Sequence, residues 1–116
     1  MQETSFITTF GERATIRRSD TGNVLCPICG IEYADSRDWI LEAFVLHQEF
    51  CPGCHTQMGV HDMHGLPPID PSNPIMRRWA KLRVKWLDRI EWPDWAIAQV
   101  KNALGLTREE IKELAK

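Results

Sequence analysis

The chain has no long apolar run, no phosphate-binding loop and no cysteine outside two short motifs. No stretch of its 116 residues approaches the roughly 18 apolar residues of a membrane-spanning helix. Its start, MQETSFITTF, contains a glutamate and no apolar core of the kind found in secretory signal peptides. The motifs G-x-x-x-x-G-K-[ST], G-x-S-x-G, H-E-x-x-H and G-x-G-x-x-G are also missing. These absences predict a reduced, cytoplasmic protein with no recognisable catalytic residues of its own.

Charge is low overall but unevenly distributed. The formal net charge is −2, and the 43% of apolar and 26% of charged residues are typical of a globular domain. Residues 1–74 contain 4 basic and 10 acidic side chains, whereas residues 75–116 contain 10 basic and 6 acidic ones. This asymmetry predicts two parts that meet different partners or meet each other.

All the cysteines lie in two C-P-x-C motifs, CPICG at 26–30 and CPGCH at 51–55. A C-x-x-C bend directs two thiolates toward one point about 2.3 Å from a zinc ion, and a second copy supplies the opposite edge of a tetrahedron. Since four thiolates leave no position free for water or substrate, such a zinc ion is structural rather than catalytic. The pattern predicts a zinc site with four ligands, Cys26, Cys29, Cys51 and Cys54.

Two other interpretations of the thiols remain open at this stage, a thioredoxin-like redox pair and a set of disulfides. A redox motif is typically one exposed pair that opens a helix in a βαβ unit, whereas both pairs here have β-like surroundings. Gly30 and Gly53 favour the zinc interpretation, because they permit tight backbone geometry near sulfur.

The histidines cluster near the second motif. His61 and His64, with Asp62 between them, could offer a second metal two imidazoles and a carboxylate. The pattern favours the simpler interpretation, in which these side chains and His47 face solvent or form hydrogen bonds. His55 directly follows Cys54, which suits a group beside the metal better than a fifth ligand.

The predicted fold class is α+β, beginning with a zinc-ribbon-like β domain of two zinc knuckles over residues 1–64. Alternation in TSFITTF (4–10) and a two-residue turn at 11–12 predict a first hairpin with RATIRRS. A second hairpin is expected from FVLHQEF (44–50) and HTQMGVH (55–61) around the second motif. SRDWILEAF, between the motifs, fits either a helical turn or an irregular strand.

The rest of the chain is predicted to be a strap and a helical tail. Four prolines in GLPPIDPSNP (65–74) favour an extended path, either a linker or a strap on another protein. In the tail, residues 75–116, about three helices are expected. The second should begin near Pro93 and end at Gly105, and a capping box of Thr107 with Glu110 should start the third. The first carries an apolar face of Ile75, Trp79, Leu82, Trp86 and Ile90.

Two surfaces of the tail suggest function. Four of the five tryptophans lie in it, more than three short helices would bury alone, so we expect the Trp79 and Trp86 face to dock on a partner. A basic row, Arg77, Lys81, Lys85 and Arg89, suggests a zinc-ribbon nucleic-acid-binding module as the alternative function. The slightly acidic chain disfavours that alternative, because the first part would repel phosphate.

The stretch from NVLCPICG through LHQEFCPGCHTQM to GLPPIDPSNP, residues 23–74, resembles the small gamma subunit of the acetone and acetophenone carboxylases. The resemblance rests on the paired C-P-x-C motifs, the Q-E-F strand that runs into C-P-G-C, and the Pro/Asp-rich exit. Two features depart from that family, namely the lack of a longer N-terminal arm and the presence of His55 where glycine is more usual. The short form favours the aryl-ketone branch.

The resemblance implies a role as a non-catalytic, zinc-bearing subunit of an ATP-dependent ketone carboxylase. In that family, larger subunits bind the ketone, bicarbonate, nucleotide and Mg²⁺ or Mn²⁺, and phosphorylated intermediates form there without biotin. The expected partners are therefore those larger subunits in a hetero-oligomer, with no membrane involved. The four cysteines are the functional residues that the resemblance carries over.

Overall fold

A computed structural model of the protein describes residues 2–8, 11–39, 50–57 and 72–116. Within these residues the chain forms a two-stranded antiparallel sheet and three helices, which confirms the α+β class. The strands are β1 (Gln2–Ile7) and β2 (Arg13–Arg18), and the helices are α1 (Ile75–Arg89), α2 (Asp94–Leu104) and α3 (Arg108–Leu114). None of these helices is both long and apolar enough to cross a bilayer.

The first hairpin is confirmed, but its connection is longer than predicted. The register runs from Gln2 opposite Arg18 to Ile7 opposite Arg13, so residues 8–12 connect the strands instead of a two-residue turn. The Thr8 N–H donates to the Glu12 carbonyl at 2.7 Å and closes this loop. Glu12, at the end of this connection, directs its carboxylate toward α1.

Glu12 forms the contact that holds the start of α1 against the hairpin. Its carboxylate accepts hydrogen bonds from Arg78 at 2.6 Å and from the backbone N–H of Ile75 at 3.0 Å. The N-cap residue, Pro74, makes no side-chain cap of its own. A carboxylate from another element therefore satisfies a free N–H of the first turn and interacts favourably with the helix dipole.

The apolar face predicted for α1 is buried inside this chain. Trp79 and Trp86 are 0% and 3% exposed, in one core with Ile16 of β2, Val24 and Ile28. The expectation that the Trp79 and Trp86 face docks on a partner is therefore wrong. The hairpin and the segment around the first cysteine motif provide the apolar surface that three helices alone would lack.

The ends of α2 and α3 follow the sequence signals. Pro93 precedes α2, and Gly105 ends it in the left-handed region at φ 70. Thr107 Oγ1 accepts from the Glu110 N–H at 3.2 Å, while the Glu110 carboxylate accepts from the Thr107 N–H at 3.1 Å. The predicted boundaries and capping box are confirmed, because these signals act within a single turn of chain.

Several predictions fall partly or wholly outside the described residues. These include most of the strap (65–71), most of the second hairpin (44–49 and 58–61), and residues 40–44 of the segment between the motifs. The second hairpin is represented by an antiparallel bridge between Phe50 and Gln57. Ser36 to Trp39 form a turn, in which the Trp39 N–H donates to the Ser36 carbonyl at 3.1 Å.

Candidate metal centre

The first cysteine motif forms a tight loop, residues 26–31, here called the first cysteine loop. The Cys26 N–H donates to the Ile31 carbonyl at 2.8 Å, and the Gly30 N–H donates back to the Cys26 carbonyl at 3.0 Å. The Ile28 N–H donates to Cys26 Sγ at 3.4 Å. Gly30 has φ 84, in the left-handed region that glycine adopts without a steric penalty.

The second cysteine loop, residues 51–56, repeats the same hydrogen bonds at the same offsets. The Cys51 N–H donates to the Thr56 carbonyl at 2.9 Å, and the His55 N–H donates to the Cys51 carbonyl at 2.9 Å. The Gly53 N–H donates to Cys51 Sγ at 3.4 Å. His55 occupies the position of Gly30 and is also left-handed, at φ 61. The sequence repeat is therefore a repeat of backbone structure.

The two loops face each other, so that the four sulfur atoms form one compact group. Sγ of Cys26 lies 3.9 Å from that of Cys54 and 3.6 Å from that of Cys51. Sγ of Cys29 lies 3.7 Å from that of Cys51, and all four sulfurs lie within 4.8 Å of one another. A tetrahedron of sulfurs at about 2.3 Å from zinc has edges of about 3.8 Å. The spacing therefore fits a metal ion such as zinc at the centre.

The same geometry excludes the disulfide interpretation. All four cysteines are free, and a disulfide would need sulfurs about 2.05 Å apart, far below the distances found here. The side chains are also only 0–2% exposed, which removes the accessible thiols that the redox interpretation requires.

The pKa values of the four clustered thiols indicate that they ionise fully only around a cation. Burial raises the pKa of the Cys26 thiol, and the neighbouring thiols raise the pKa of Cys29. Hydrogen bonds from those two thiols lower the pKa of Cys51 and Cys54. Four thiolates at such spacing would repel one another, so full ionisation needs a positive ion among them. A divalent metal supplies that charge.

Hydrogen-bonding groups around the sulfurs suit thiolate ligands. Besides the backbone N–H groups of Ile28 and Gly53, the hydroxyl of Thr56 lies 3.3 Å from Cys54 Sγ. Tyr33 also lies against the cluster, where burial and the nearby Cys26 sulfur raise the pKa of its phenol. Such partners orient metal ligands and reduce the charge on each sulfur.

Side chains from α1 and α2 hold both loops from behind. Arg83 Nε donates to the Ile28 carbonyl at 2.9 Å, and its terminal nitrogen donates to the Pro27 carbonyl. Gln99 donates to the Cys29 carbonyl and Arg89 to the Cys54 carbonyl, each at 2.8 Å. Each of these side chains donates to a backbone carbonyl. The helices therefore position the loops while the sulfur atoms stay available to a metal.

Arg83 also places positive charge beside the sulfurs. Its side chain is buried, which lowers its pKa to about 10, while the charges of the cysteines oppose that shift. At neutral pH the guanidinium therefore stays charged and offsets part of the negative charge of a four-thiolate metal site.

Sequence reasoning missed Arg83, Gln99 and the role of Arg89. The available signal for Arg83 was its position between Trp79 and Trp86 on the apolar side of α1, where a charge is rare unless it has a partner. Arg89 was placed in a basic row, yet its guanidinium donates to the second cysteine loop. Which carbonyls these groups reach depends on tertiary packing, and no local pattern specifies it.

Of the histidines, only His55 lies in the part of the chain that the structure describes. His55 is exposed and does not belong to the group of metal-ligating atoms, in agreement with the prediction that it is not a fifth ligand. His47, His61, Asp62 and His64 lie outside the described residues. The second metal site therefore stays a prediction.

The four sulfurs would fill a tetrahedral coordination shell, so the geometry favours a closed, structural metal site. The ligands come two from each loop, which means that a bound ion would join segments 21 residues apart in the chain. A scan against models of known protein families, a search of curated proteins and a search of solved structures each gave no match.

Proposed function

We propose that the chain is a zinc-binding structural protein, built as a zinc ribbon whose two cysteine loops are zinc knuckles. The observation that carries the proposal is the group of four buried sulfurs, which lie within 4.8 Å of one another and have three separations of 3.6–3.9 Å, close to the spacing around one tetrahedral zinc ion. Tetrahedral four-sulfur sites hold zinc or iron, and zinc is the ion that serves structure alone.

The proposed role of the ion is to hold the two loops and the helices in one folded unit. Arg83, Arg89 and Gln99 bind loop carbonyls that keep their positions only while the sulfurs are held together. Structural zinc sites contribute apparent binding free energies of about 10–16 kcal/mol, as large as the whole stability of a typical domain, which is about 5–15 kcal/mol. Zinc is therefore proposed to be a condition of folding.

Zinc content and folding can be tested together. We expect one zinc ion per chain by elemental analysis, with no visible absorption of the kind iron–sulfur sites give. Removal of zinc by a strong chelator should abolish most of the helical circular dichroism and broaden the amide NMR spectrum. Returning zinc should restore both. Cys51→Ser should lose zinc, whereas His55→Ser, four residues along the same loop, should retain it.

We further propose that this zinc protein is the non-catalytic subunit of an ATP-dependent ketone carboxylase of the acetone or acetophenone type. Support comes from the resemblance of residues 23–74, and from the free, buried cysteines, which suit the reducing cytoplasm. Two aromatic side chains, Phe50 and Trp95, are 62% and 59% exposed and offer apolar area for larger subunits. Ketone, ATP and Mg²⁺ or Mn²⁺ would bind on those subunits.

The subunit role can be tested by co-expression with the large carboxylase subunits encoded nearest to this chain. We expect a complex of fixed stoichiometry whose formation requires zinc, and Trp95→Ser should weaken it without loss of zinc. If the chain stays monomeric and does not bind those subunits, the subunit role is contradicted, whereas the zinc proposal is unaffected.

The nucleic-acid alternative is tested by the same purified protein. In the basic row, Arg77 is partly buried, whereas Lys81, Lys85 and Arg89 are exposed, although Arg89 also donates to the Cys54 carbonyl. Three exposed cations on one helix would give a limited electrostatic contribution to binding. DNA or RNA binding that is measurable near roughly 50 mM salt and weakens steeply as salt is added would favour this alternative over the carboxylase subunit. Absence of measurable binding near roughly 50 mM salt would exclude it.

A further inference from the structure

A cavity of about 390 Å³ lies between β2, the start of α1 and the segment that includes α3, and Pro27 of the first cysteine loop also lines it. Its walls are mostly apolar and include Ile16, Ala80, Leu104, Leu106 and Leu114. The volume falls in the range of about 300–1,000 Å³ that is typical of small-molecule sites. A cavity of this composition suits the apolar part of a compact organic ligand.

The charged groups of the cavity are mainly cationic. Four basic side chains line it, Arg17, Arg77, Arg83 and Lys116, against one acidic side chain, Glu3, while Lys116 also pairs with the exposed Glu113 at 3.2 Å. Glu3 pairs with Arg17 at 3.2 Å, but its side chain is 62% exposed, so the pair neutralises little inside the cavity. Arg83 keeps its charge, but it binds the first cysteine loop and offsets part of the charge of the sulfurs, so the positive charge available to a ligand comes mainly from Arg77. The cavity therefore favours an anion.

One donor in the cavity lining lacks an acceptor. Arg77 Nε is buried and has no hydrogen-bond partner among the described residues, although the same guanidinium donates to the Lys116 carbonyl. A buried, unsatisfied donor on a charged group is costly, and such groups are rare in folded proteins. An acceptor supplied by a ligand would remove this cost.

We propose that this cavity binds an organic monocarboxylate with a compact apolar body, whose carboxylate accepts a hydrogen bond from Arg77 Nε. The apolar walls exclude a strongly hydrated ion such as free phosphate, and the excess positive charge selects against a neutral ligand of the same shape. None of the four sulfurs lines the cavity, although Pro27 of the first cysteine loop and Arg83 do. Failure of a zinc-loaded chain to bind the ligand would therefore overturn this proposal and leave the zinc centre and the subunit role standing.

The test uses the zinc-loaded full chain and octanoate as the probe, with octanamide as its neutral counterpart. We expect one-to-one binding of octanoate with a Kd on the order of 1 mM or below, and at least about tenfold weaker binding of octanamide. Amide NMR shifts should concentrate at Ile16, Ala80, Leu104 and Leu106. Equal binding of the two probes, absence of octanoate binding, or shifts centred elsewhere would overturn the proposal.

A pair of substitutions on α1 isolates the role of Arg77. Arg77→Met should weaken octanoate binding about tenfold or more, because it removes the unsatisfied donor and its charge. Lys81→Met is the matched control, since Lys81 is an exposed cation on the same helix and does not line the cavity. Equal octanoate affinity of the two variants would overturn the proposal. If Arg77→Met does not fold, the comparison of octanoate with octanamide on the unaltered chain decides.

Discussion

Gly53 of the second cysteine loop lies directly against the sulfur of Cys29 in the first. A Cβ atom at Gly53 would stand 2.7 Å from Cys29 Sγ and 3.2 Å from a methyl group of Ile31. Real Cβ atoms essentially never approach a neighbour as closely as the first of these distances. The glycine is therefore required by a contact between the two loops, and the contact exists only when the loops face each other.

Gly53→Ala should accordingly weaken metal binding, since the new methyl group displaces Cys29 Sγ from its position in the tetrahedron. We expect zinc affinity to fall by about tenfold or more, in line with the effect of disturbing groups around a metal site. Competition with a chromogenic zinc chelator measures this affinity. Pro52→Ala changes the exposed neighbour and serves as the control, and a normal affinity in Gly53→Ala would contradict the explanation.

Gly30 and His55 share one backbone position in the two loops, yet substitutions there should have different results. Gly30→Ala adds a Cβ at φ 84 and 2.7 Å from the Ala103 side chain of α2. Left-handed strain of about 1–2 kcal/mol and overpacking of about 1–3 kcal/mol should lower the free energy of unfolding. His55→Gly removes left-handed strain at φ 61 and should leave stability unchanged or raised by up to about 1 kcal/mol. Chemical denaturation of the zinc-loaded variants measures both, and equal losses would contradict this account.

Arg83 should stabilise the fold by geometry as well as charge. Arg83→Met keeps much of the buried stem but removes both hydrogen bonds to the first cysteine loop, with an expected loss of about 2–3 kcal/mol. Arg83→Lys keeps the charge without the planar fork and should recover only part of that loss. Thermal and denaturant unfolding measure whether Arg83→Met loses more stability than Arg83→Lys. Lys81→Met serves as an exposed control on the same helix. Full recovery by lysine would show that charge alone matters.

The ion pair between Glu12 and Arg78 is buried, so breaking it should be costly. Their side chains are 9% and 7% exposed, and the oxygen and nitrogen are 2.6 Å apart. We expect Glu12→Gln and Arg78→Met each to lower the free energy of unfolding by about 3 kcal/mol, because each leaves a buried group without its partner. The double variant should lose less than the sum of the two.

The exposed pair of Glu3 and Arg17 is the internal control for this prediction. Glu3→Gln should change the free energy of unfolding by less than about 1 kcal/mol, because solvent screens the pair. Additive effects in the Glu12 and Arg78 cycle would show that the two side chains do not interact in solution.

Features that depend on adjacent residues could be predicted well from the sequence. The hairpin, the end of α2 at Gly105 and the Thr107 capping box all follow from signals within a few residues. The grouping of four thiols was predicted from two C-x-x-C spacings, since each spacing by itself places two sulfurs together. The hairpin connection was predicted too short, and Glu12 at its end pairs with Arg78 of a distant helix, a contact that no local signal indicates.

Features that depend on which surfaces meet were predicted poorly. The tryptophan face of α1 was assigned to a partner because the tail was considered alone, whereas Trp79 and Trp86 pack within the chain. Arg83 was overlooked because its partners, the carbonyls of Pro27 and Ile28, lie 55 or more positions away. Hydrogen bonds to backbone carbonyls cannot be inferred from the pattern of side chains along the sequence.

By itself, the sequence determined which four cysteines could hold a metal and the local bends that present them, because two cysteines separated by two residues can close on one point without help from the rest of the chain. Tertiary structure alone decided that the two bends face each other with Gly53 against Cys29, and that arginines of α1 reach the loops from behind. These contacts join residues that are far apart in the chain, and their existence depends on how the apolar surfaces of hairpin, loops and helices pack together.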